Sequence, residues 1–557
     1  MATTISRRRG GVTTAAADTG PLLVETRSPA AVWWRAYLHH LRLLRNGAIA
    51  WIAGLAGMGW GVAATFEMRH GSPEELAALR QMVDVPAFEA LMGRYVRPDT
   101  VEGLTLSRWG WFAVLAAIWG MLAAAKLFRG AEEAGHLEPL RAGAIGPRGL
   151  LTSGLAALYT THVVFAVAIG VGHAAGGMDV ATSWAAGGAM ALLTAIFATA
   201  VALSSQLVAT RSRAMGIVGM ALGLMLAVRV VAAASGTPDW VWWLTPFGWI
   251  GFLHEVDQAR GWVFLGLVSL FTVVLVAALA TARRDLHAGV LDRGGQTART
   301  GRPLRSQTAL AVRLVAAPVR TWGLTVGLVA VMFGMLTRDF ADAAAQLPAT
   351  VAVTEQMGIV GIDTAEGIIA WAFSMFVALL LAVFTAGQVA AIREEEATWR
   401  IEHLLVRPVG RLRWLTTRVL TAVVAVVAIA LAGGVLAWLA TVVIGEPIRF
   451  VDGVLAGANA VPVALLVLGI GVALFGLLPR LTAPLAYGVV VVAFALDFVG
   501  GLLELPEWML DLSPFRHLAA VPATDMNVTA ALAMLAVGIL AAASGMLAFH
   551  RRDLQEA

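Results

Sequence analysis

The chain has 557 residues, 59% of them hydrophobic and only 14% charged, with a formal net charge of +4 and a mean hydropathy of +0.77. A soluble chain of that length needs far more polar surface, and without cysteine neither a disulfide framework nor a thiolate metal site can form. The basic balance does not point to nucleic acid, because the arginines fall in short segments between apolar spans.

Arg7, Arg8 and Arg9 open the chain, but the Ala/Thr-rich stretch behind them has no apolar h-region. Residues 1–28 therefore read as a cytosolic tail and not as a cleaved signal. Over residues 29–46, Trp34, Tyr37, Leu38, Leu41 and Leu44 form one stripe opposite Arg35, His39 and Arg42. That pattern predicts an amphipathic connecting helix on the inner membrane face, completing a segment 1–47.

A crossing needs about 20 apolar residues. Such runs lie near 48–66, 109–128, 150–171, 184–209, 214–234 and 262–282, making a first half over 48–282. Ser72-Pro73-Glu74-Glu75, between the first two, reads as a helix-opening capping box, with Pro86 starting another short helix. A linker, 283–321, leads to a second half over 322–549, with runs near 322–337, 366–390, 416–443, 453–478, 482–503 and 528–549. The short seventh run has Pro318 just upstream and can start earlier; residues 550–557 end the chain. The expected fold class is all-α, a polytopic membrane protein of twelve transmembrane helices in two parallel six-helix repeats.

Arginine placement orients it. Arg35, Arg42, Arg45, Arg283, Arg284, Arg293, Arg393, Arg400, Arg407 and Arg411 share one side, and Glu74, Glu75, Asp84, Asp339, Asp342, Glu504, Glu507 and Asp511 the other. Both termini are therefore expected in the cytosol.

The halves repeat. Asp99-Thr100-Val101-Glu102-Gly103 returns 264 residues later as Asp363-Thr364-Ala365-Glu366-Gly367, and Arg129, Glu132 and Glu138 meet Arg393, Glu396 and Glu402 at that shift. Farther on the shift is 268: Pro246 and Phe247 meet Pro514 and Phe515, and Arg283-Arg284-Asp285-Leu286 returns as Arg551-Arg552-Asp553-Leu554. An even number of spans per half makes the repeats parallel, with a substrate path expected between them.

Lys126 is the sole lysine and sits at a membrane boundary, so the chain holds no Gly-x-x-x-x-Gly-Lys-Ser/Thr phosphate loop. No zinc pattern is present, and neither a catalytic site nor a cofactor is expected in this chain. The acids after the second and eighth spans are the main candidates: Glu132, Glu133 and Glu138, then Arg393, Glu394, Glu395, Glu396 and Glu402. Two readings fit them, a docking surface for a basic partner and a solvated loop whose acids favour a helix start. Arg229 and Asp497 occupy equivalent positions inside the fifth and eleventh spans. They suit either a latch between the halves or two groups snorkelling to water. The Asp99/Glu102 and Asp363/Glu366 pairs read as helix caps. Trp240, Trp242, Trp243 and Phe247, with Pro246 beside them, read as an interfacial aromatic belt, and Pro514 and Phe515 are the repeat partners of Pro246 and Phe247. His162, Gln206, Ser374 and Gln388 line a path or bond helix to helix.

The Arg-x-Glu-Glu-x-x-x-x-x-Glu-x-Leu-Leu run from Arg393 to Leu405, with six spans per half, resembles permease subunits of type-2 ABC exporters. It is similar in particular to the fused, double-length branch of polyketide-antibiotic (tetronasin) exporters. The resemblance implies two copies of a separately encoded ABC ATPase, carrying ATP and Mg, docked on the loops after spans 2 and 8. It also implies export of hydrophobic or amphipathic molecules across a bacterial inner membrane, and short outer helices around Trp240–Phe247 and Pro514 acting as an exit gate. Half one departs from the pattern at Gly130 and Ala131, where half two has Glu394 and Glu395. An ion-coupled secondary transporter is the alternative, although Asp497 is almost its only intramembrane carboxylate.

Overall fold

The computed structural model describes residues 28–66, 101–107, 109–133, 145–233, 238–254, 259–282, 306–346, 363–398, 401–402, 410–498 and 506–553, with a few single positions between them. The expected tail before Ser28, the capping box at Ser72, Glu138 and the linker arginines lie outside these residues. Among the described residues, twelve helices are long and apolar enough to cross a membrane. They are α1 (Pro29–Ala64), α2 (Phe112–Glu133), α3 (Pro147–Ala175), α4 (Val180–Leu207), α5 (Arg211–Ala233) and α6 (Gly261–Ala280). The second set is α7 (Gln307–Asp342), α8 (Ala365–Ala397), α9 (Arg411–Val443), α10 (Phe450–Leu477), α11 (Pro479–Asp497) and α12 (Val528–Arg551). The protein is an all-α polytopic membrane protein.

The two sets pack alike. In each, the fourth helix is central: α4 touches α2, α3 and α6, and α10 touches α8, α9 and α12, while α1 lies on α3 and α7 on α9. The interior helices are the second and fourth of each set. In α2 and α4, 72% of the most apolar stretch is buried, against 17% in α6. The outer helices turn Met220, Leu224, Val273, Val491 and Leu540 outward, apolar surface that only lipid or another protein makes favourable. The halves meet where α5 approaches α7, with Leu328 beside Gly223.

Close backbone approach explains why the third and fourth helices of each set pair so tightly. A Cβ on Gly187 would lie 2.3 Å from the Ala166 carbonyl, and one on Gly457 2.4 Å from the Ala430 carbonyl. Ala166 and Ala430 are repeat-equivalent, so one small-residue contact is built twice; such contacts let membrane helices gain packing without a hydrophobic driving force. The α10–α12 seam has no such twin. There Gly469 and Gly476 face Gly538 and Gly545, each position leaving 2.1–3.1 Å for a Cβ. The half-one counterparts are Thr199, Gln206, Leu270 and Ala277. Gly457→Ala is expected to lower stability by about 1–3 kcal/mol through overpacking. Gly488→Ala, whose Cβ meets nothing within 4 Å, is expected to leave the melting temperature of the purified protein unchanged.

Two sequence expectations change in detail. The stripe over 29–46 does not form a helix separate from the first crossing. It continues unbroken into α1 and packs along α3, with Trp33 Nε1 donating to Thr152 at 3.0 Å and the Tyr37 and Thr160 hydroxyls 3.0 Å apart. The caps opening the second and eighth crossings are the threonines, not the acids. Thr100 Oγ1 accepts from Gly103 N–H at 3.0 Å and Thr364 Oγ1 from Gly367 N–H at 3.1 Å. Position N3 is glycine, so no reciprocal acid can complete a capping box; Asp99 instead pairs with Arg80 at 2.8 Å.

Candidate functional site

Both halves end their second crossing on an arginine followed three residues later by a glutamate, one helical turn apart and therefore on one face. In half one Arg129 and Glu132 form an ion pair at 3.1 Å, with side chains 0% and 1% exposed. The second half repeats it with Arg393 and Glu396, also at 3.1 Å and 9% and 0% exposed. A buried pair needs further hydrogen bonds to offset desolvation, and each half supplies them differently. Arg129 lies in a π-helical turn, Lys126–Gly130, that aims it at the Val208 carbonyl, the capping position of α4.

In half two the chain's own C-terminal end completes the site. Arg552, just past α12, grips Glu396 with two bonds, at 2.5 and 2.9 Å. Its guanidinium also donates to the Phe475 carbonyl at 3.1 Å and lies 5.2 Å from the Phe475 and Phe549 ring centres. Arg411, opening α9, donates to the Arg552 carbonyl at 2.9 Å. A second pair, Glu395 with Arg418 at 2.7 Å, ties the end of α8 to α9. Half one drops both members of that pair together, having Ala131 and Gly154 at the equivalent positions, and Phe128 fills the space against Gly154.

Of the eight expected docking residues, the seven that are described separate by exposure. Glu132, Arg393 and Glu396 are buried and Glu395 is half-buried, all turned to internal partners. They bond the ends of α2 and α8 internally and expose little of their side chains. Glu133, Glu394 and Glu402 are exposed. Glu133 Oε1 also accepts from Arg211 N–H at 2.7 Å, where the positive end of α5 favours a carboxylate.

Arg229 and Asp497 do not form an ion pair with each other among the described contacts. Arg229 is buried and donates to the Gly110 carbonyl at 3.0 Å, within its own half. The Asp497 carboxylate is exposed at the end of α11, and Arg516 and His517 are the charges acting on it. The aromatic segment after α5 folds as a 3-10 turn, Asp239–Leu244, and a short helix, Pro246–Gly251. Trp242, Pro246 and Phe247 are buried, Phe247 against Phe197 at 5.7 Å. Trp240 stays exposed, and Trp243 stacks on Phe252 at 4.4 Å. Its counterpart after α11 is pinned back onto the bundle. Phe515 meets Phe494, Ser513 donates to the Ala493 carbonyl at 2.8 Å, and Asn459 donates to the Ala519 carbonyl at 2.8 Å. Pro514 beside it is half-buried. Of the in-span polar residues, Ser374 also bonds the Ala519 carbonyl, at 3.4 Å, while His162 is enclosed by Trp119 and Tyr159.

Sequence reasoning missed Arg552 and Arg418. The Arg-Arg-Asp-Leu repeat was the available signal, but nothing local says that its second arginine reaches a glutamate 156 residues away.

Twelve apolar crossings in two alike sets, with an arginine–glutamate bridge ending the second crossing of each, define a multi-pass membrane protein. The chain belongs to the family described as "Multidrug efflux system permease Rv1217c, C-terminal domain", which it matches over residues 38–283 and 304–550, one stretch for each half. It is 29% identical over 488 residues to the multidrug efflux system permease protein Rv1217c of Mycobacterium tuberculosis (strain ATCC 25618 / H37Rv), covering 86% of this chain and 87% of that protein.

Proposed function

We propose that this chain is the membrane-spanning subunit of an ATP-driven exporter of hydrophobic or amphipathic molecules, of the type-2 ABC class and similar to the tetronasin exporters. Membership of a multidrug efflux permease family over both halves is the observation that carries the reading. A separately encoded ATPase supplies the energy, two copies docking at the ends of α2 and α8. That the sequence has a single lysine, away from any phosphate-loop pattern, supports an outside engine. Exposed Glu133, Glu394 and Glu402 offer the contacts, and the buried bridges behind them carry force into α4, α9 and α12. On this reading the arginine-rich ends and both termini face the cytosol, and the segments at Trp240–Phe247 and Pro514–Phe515 close the far end of the path. An Arg229–Asp497 latch belongs to a second state, since here Arg229 holds Gly110.

The test is purification of the tagged chain from its native membrane in mild detergent. An ATPase is expected to co-purify at about two copies per chain, as two alike docking ends require. A chain that purifies alone, yet moves amphipathic dyes when a proton gradient is imposed, would favour ion coupling instead.

A further inference from the structure

Half one carries a groove that the repeat does not require. It is a cavity of about 130 Å³ between α1, α2 and α3, walled by Leu44, Gly47, Ala48, Trp51, Trp119, Leu122 and Ala123, with Thr161 and Lys126 as its polar members. The Thr161 hydroxyl is committed to the Leu158 carbonyl at 2.7 Å, so the wall is effectively apolar apart from one ammonium. Lys126 opens the π-helical turn at the end of α2, an irregularity that recurs at functional sites. Its Nζ donates to the Leu43 carbonyl at 2.8 Å, and no carboxylate lies within 4 Å of it among the described residues. An ammonium has three N–H donors, which leaves two for a ligand. Arg45, exposed one residue beyond Leu44, bonds only the Asn46 amide at 3.3 Å among the described contacts.

A groove with apolar walls and, among the described residues, one ammonium without a carboxylate partner fits a molecule with a chain to bury and an anion to present. Half two has Ala390 and Ala425 where half one has Lys126 and Thr161, and its π-helical turn, Phe373–Val377, lies elsewhere in α8. The ammonium is therefore an addition to one half. We infer that it is a binding site for an anionic phospholipid of the surrounding leaflet, with an acyl chain against Trp51, Trp119 and Leu122 and its phosphate on Lys126. Anionic headgroups concentrate at the cytosolic surface and attract basic side chains there. All walls of the groove come from α1, α2 and α3 of the first half. It does not depend on how transport is powered.

Native mass spectrometry of the full-length purified protein tests it, with phosphatidylglycerol and phosphatidylcholine of the same acyl chains as probes. Wild type is expected to retain phosphatidylglycerol about tenfold better than phosphatidylcholine, whose choline cation cancels the headgroup charge that the ammonium attracts; tenfold corresponds to about 1.4 kcal/mol. Lys126→Gln is expected to remove that preference and Lys126→Arg to keep it. Gly47→Leu places an apolar side chain on the groove wall, at a position where a Cβ meets nothing within 4 Å. It is expected to lower retention of both lipids. Equal retention of the two lipids by wild type, or wild-type retention by both Lys126→Gln and Gly47→Leu, would overturn the assignment. Displacement of phosphatidylglycerol by equimolar oleate would also overturn it, by placing a free carboxylate amphiphile in the groove.

Discussion

Glu396→Ala is expected to cost about 3–5 kcal/mol of stability, because it strands two buried guanidinium groups on one missing carboxylate. Arg393 and Arg552 both bond Glu396, whose side chain is 0% exposed. The neighbouring Glu394→Ala, at an exposed position, is expected to change stability by less than about 0.5 kcal/mol. Thermal unfolding of the two purified variants in one detergent measures both. Replacing Arg393, Glu396 and Arg552 together by Met removes every charge of the cluster, and stability is expected to recover most of the loss. Similar melting temperatures for Glu396→Ala and Glu394→Ala would show that the cluster does not hold the ends of α8 and α12 together.

The second large effect falls on transport and spares the fold. Reversing the three exposed acids, Glu133→Arg, Glu394→Arg and Glu402→Arg together, presents like charge to a basic partner. Reversed contacts at an interface cost several kcal/mol, so ATPase association is expected to fall at least about a hundredfold and ATP-dependent efflux to be lost. The permease itself should keep its melting temperature, since only Glu133 has a backbone hydrogen bond to lose. The half-two pair Glu394→Arg with Glu402→Arg is expected to weaken association more than Glu133→Arg alone, because among the described residues half two carries more exposed acid at its docking end. Equal co-purification of ATPase with wild type and the triple variant would remove these residues from the interface.

The crossings were legible in the sequence because a crossing is a property of about 20 consecutive residues, and each of the twelve runs lies on one of the twelve helices. The seventh begins at Gln307, upstream of Pro318, which sits inside the helix. The repeat was legible too, through identities such as Arg129/Arg393 and Pro246/Pro514. What stayed hidden depended on partners distant in sequence. The stripe of α1 shows an apolar face, but periodicity cannot say whether lipid surface or α3 covers it. The acids after α8 look alike in sequence; their fates separate only because Arg552 and Arg418 arrive from α12 and α9. The doubled Gly187/Gly457 contact shifts by 270 residues, between α4 and α10, a register that the 264 and 268 identities on either side do not reveal.

Sealed vesicles containing the purified chain, with or without the ATPase that co-purifies with it, decide whether an outside ATPase drives transport. Entry of an amphipathic fluorescent dye is followed after MgATP is added outside, where inverted permeases present their arginine-rich ends. The chain alone is expected to move no dye on MgATP, and the complex to accumulate it until ATP is exhausted. Dye accumulation by the chain alone, driven by a proton gradient and indifferent to the ATPase, would contradict it.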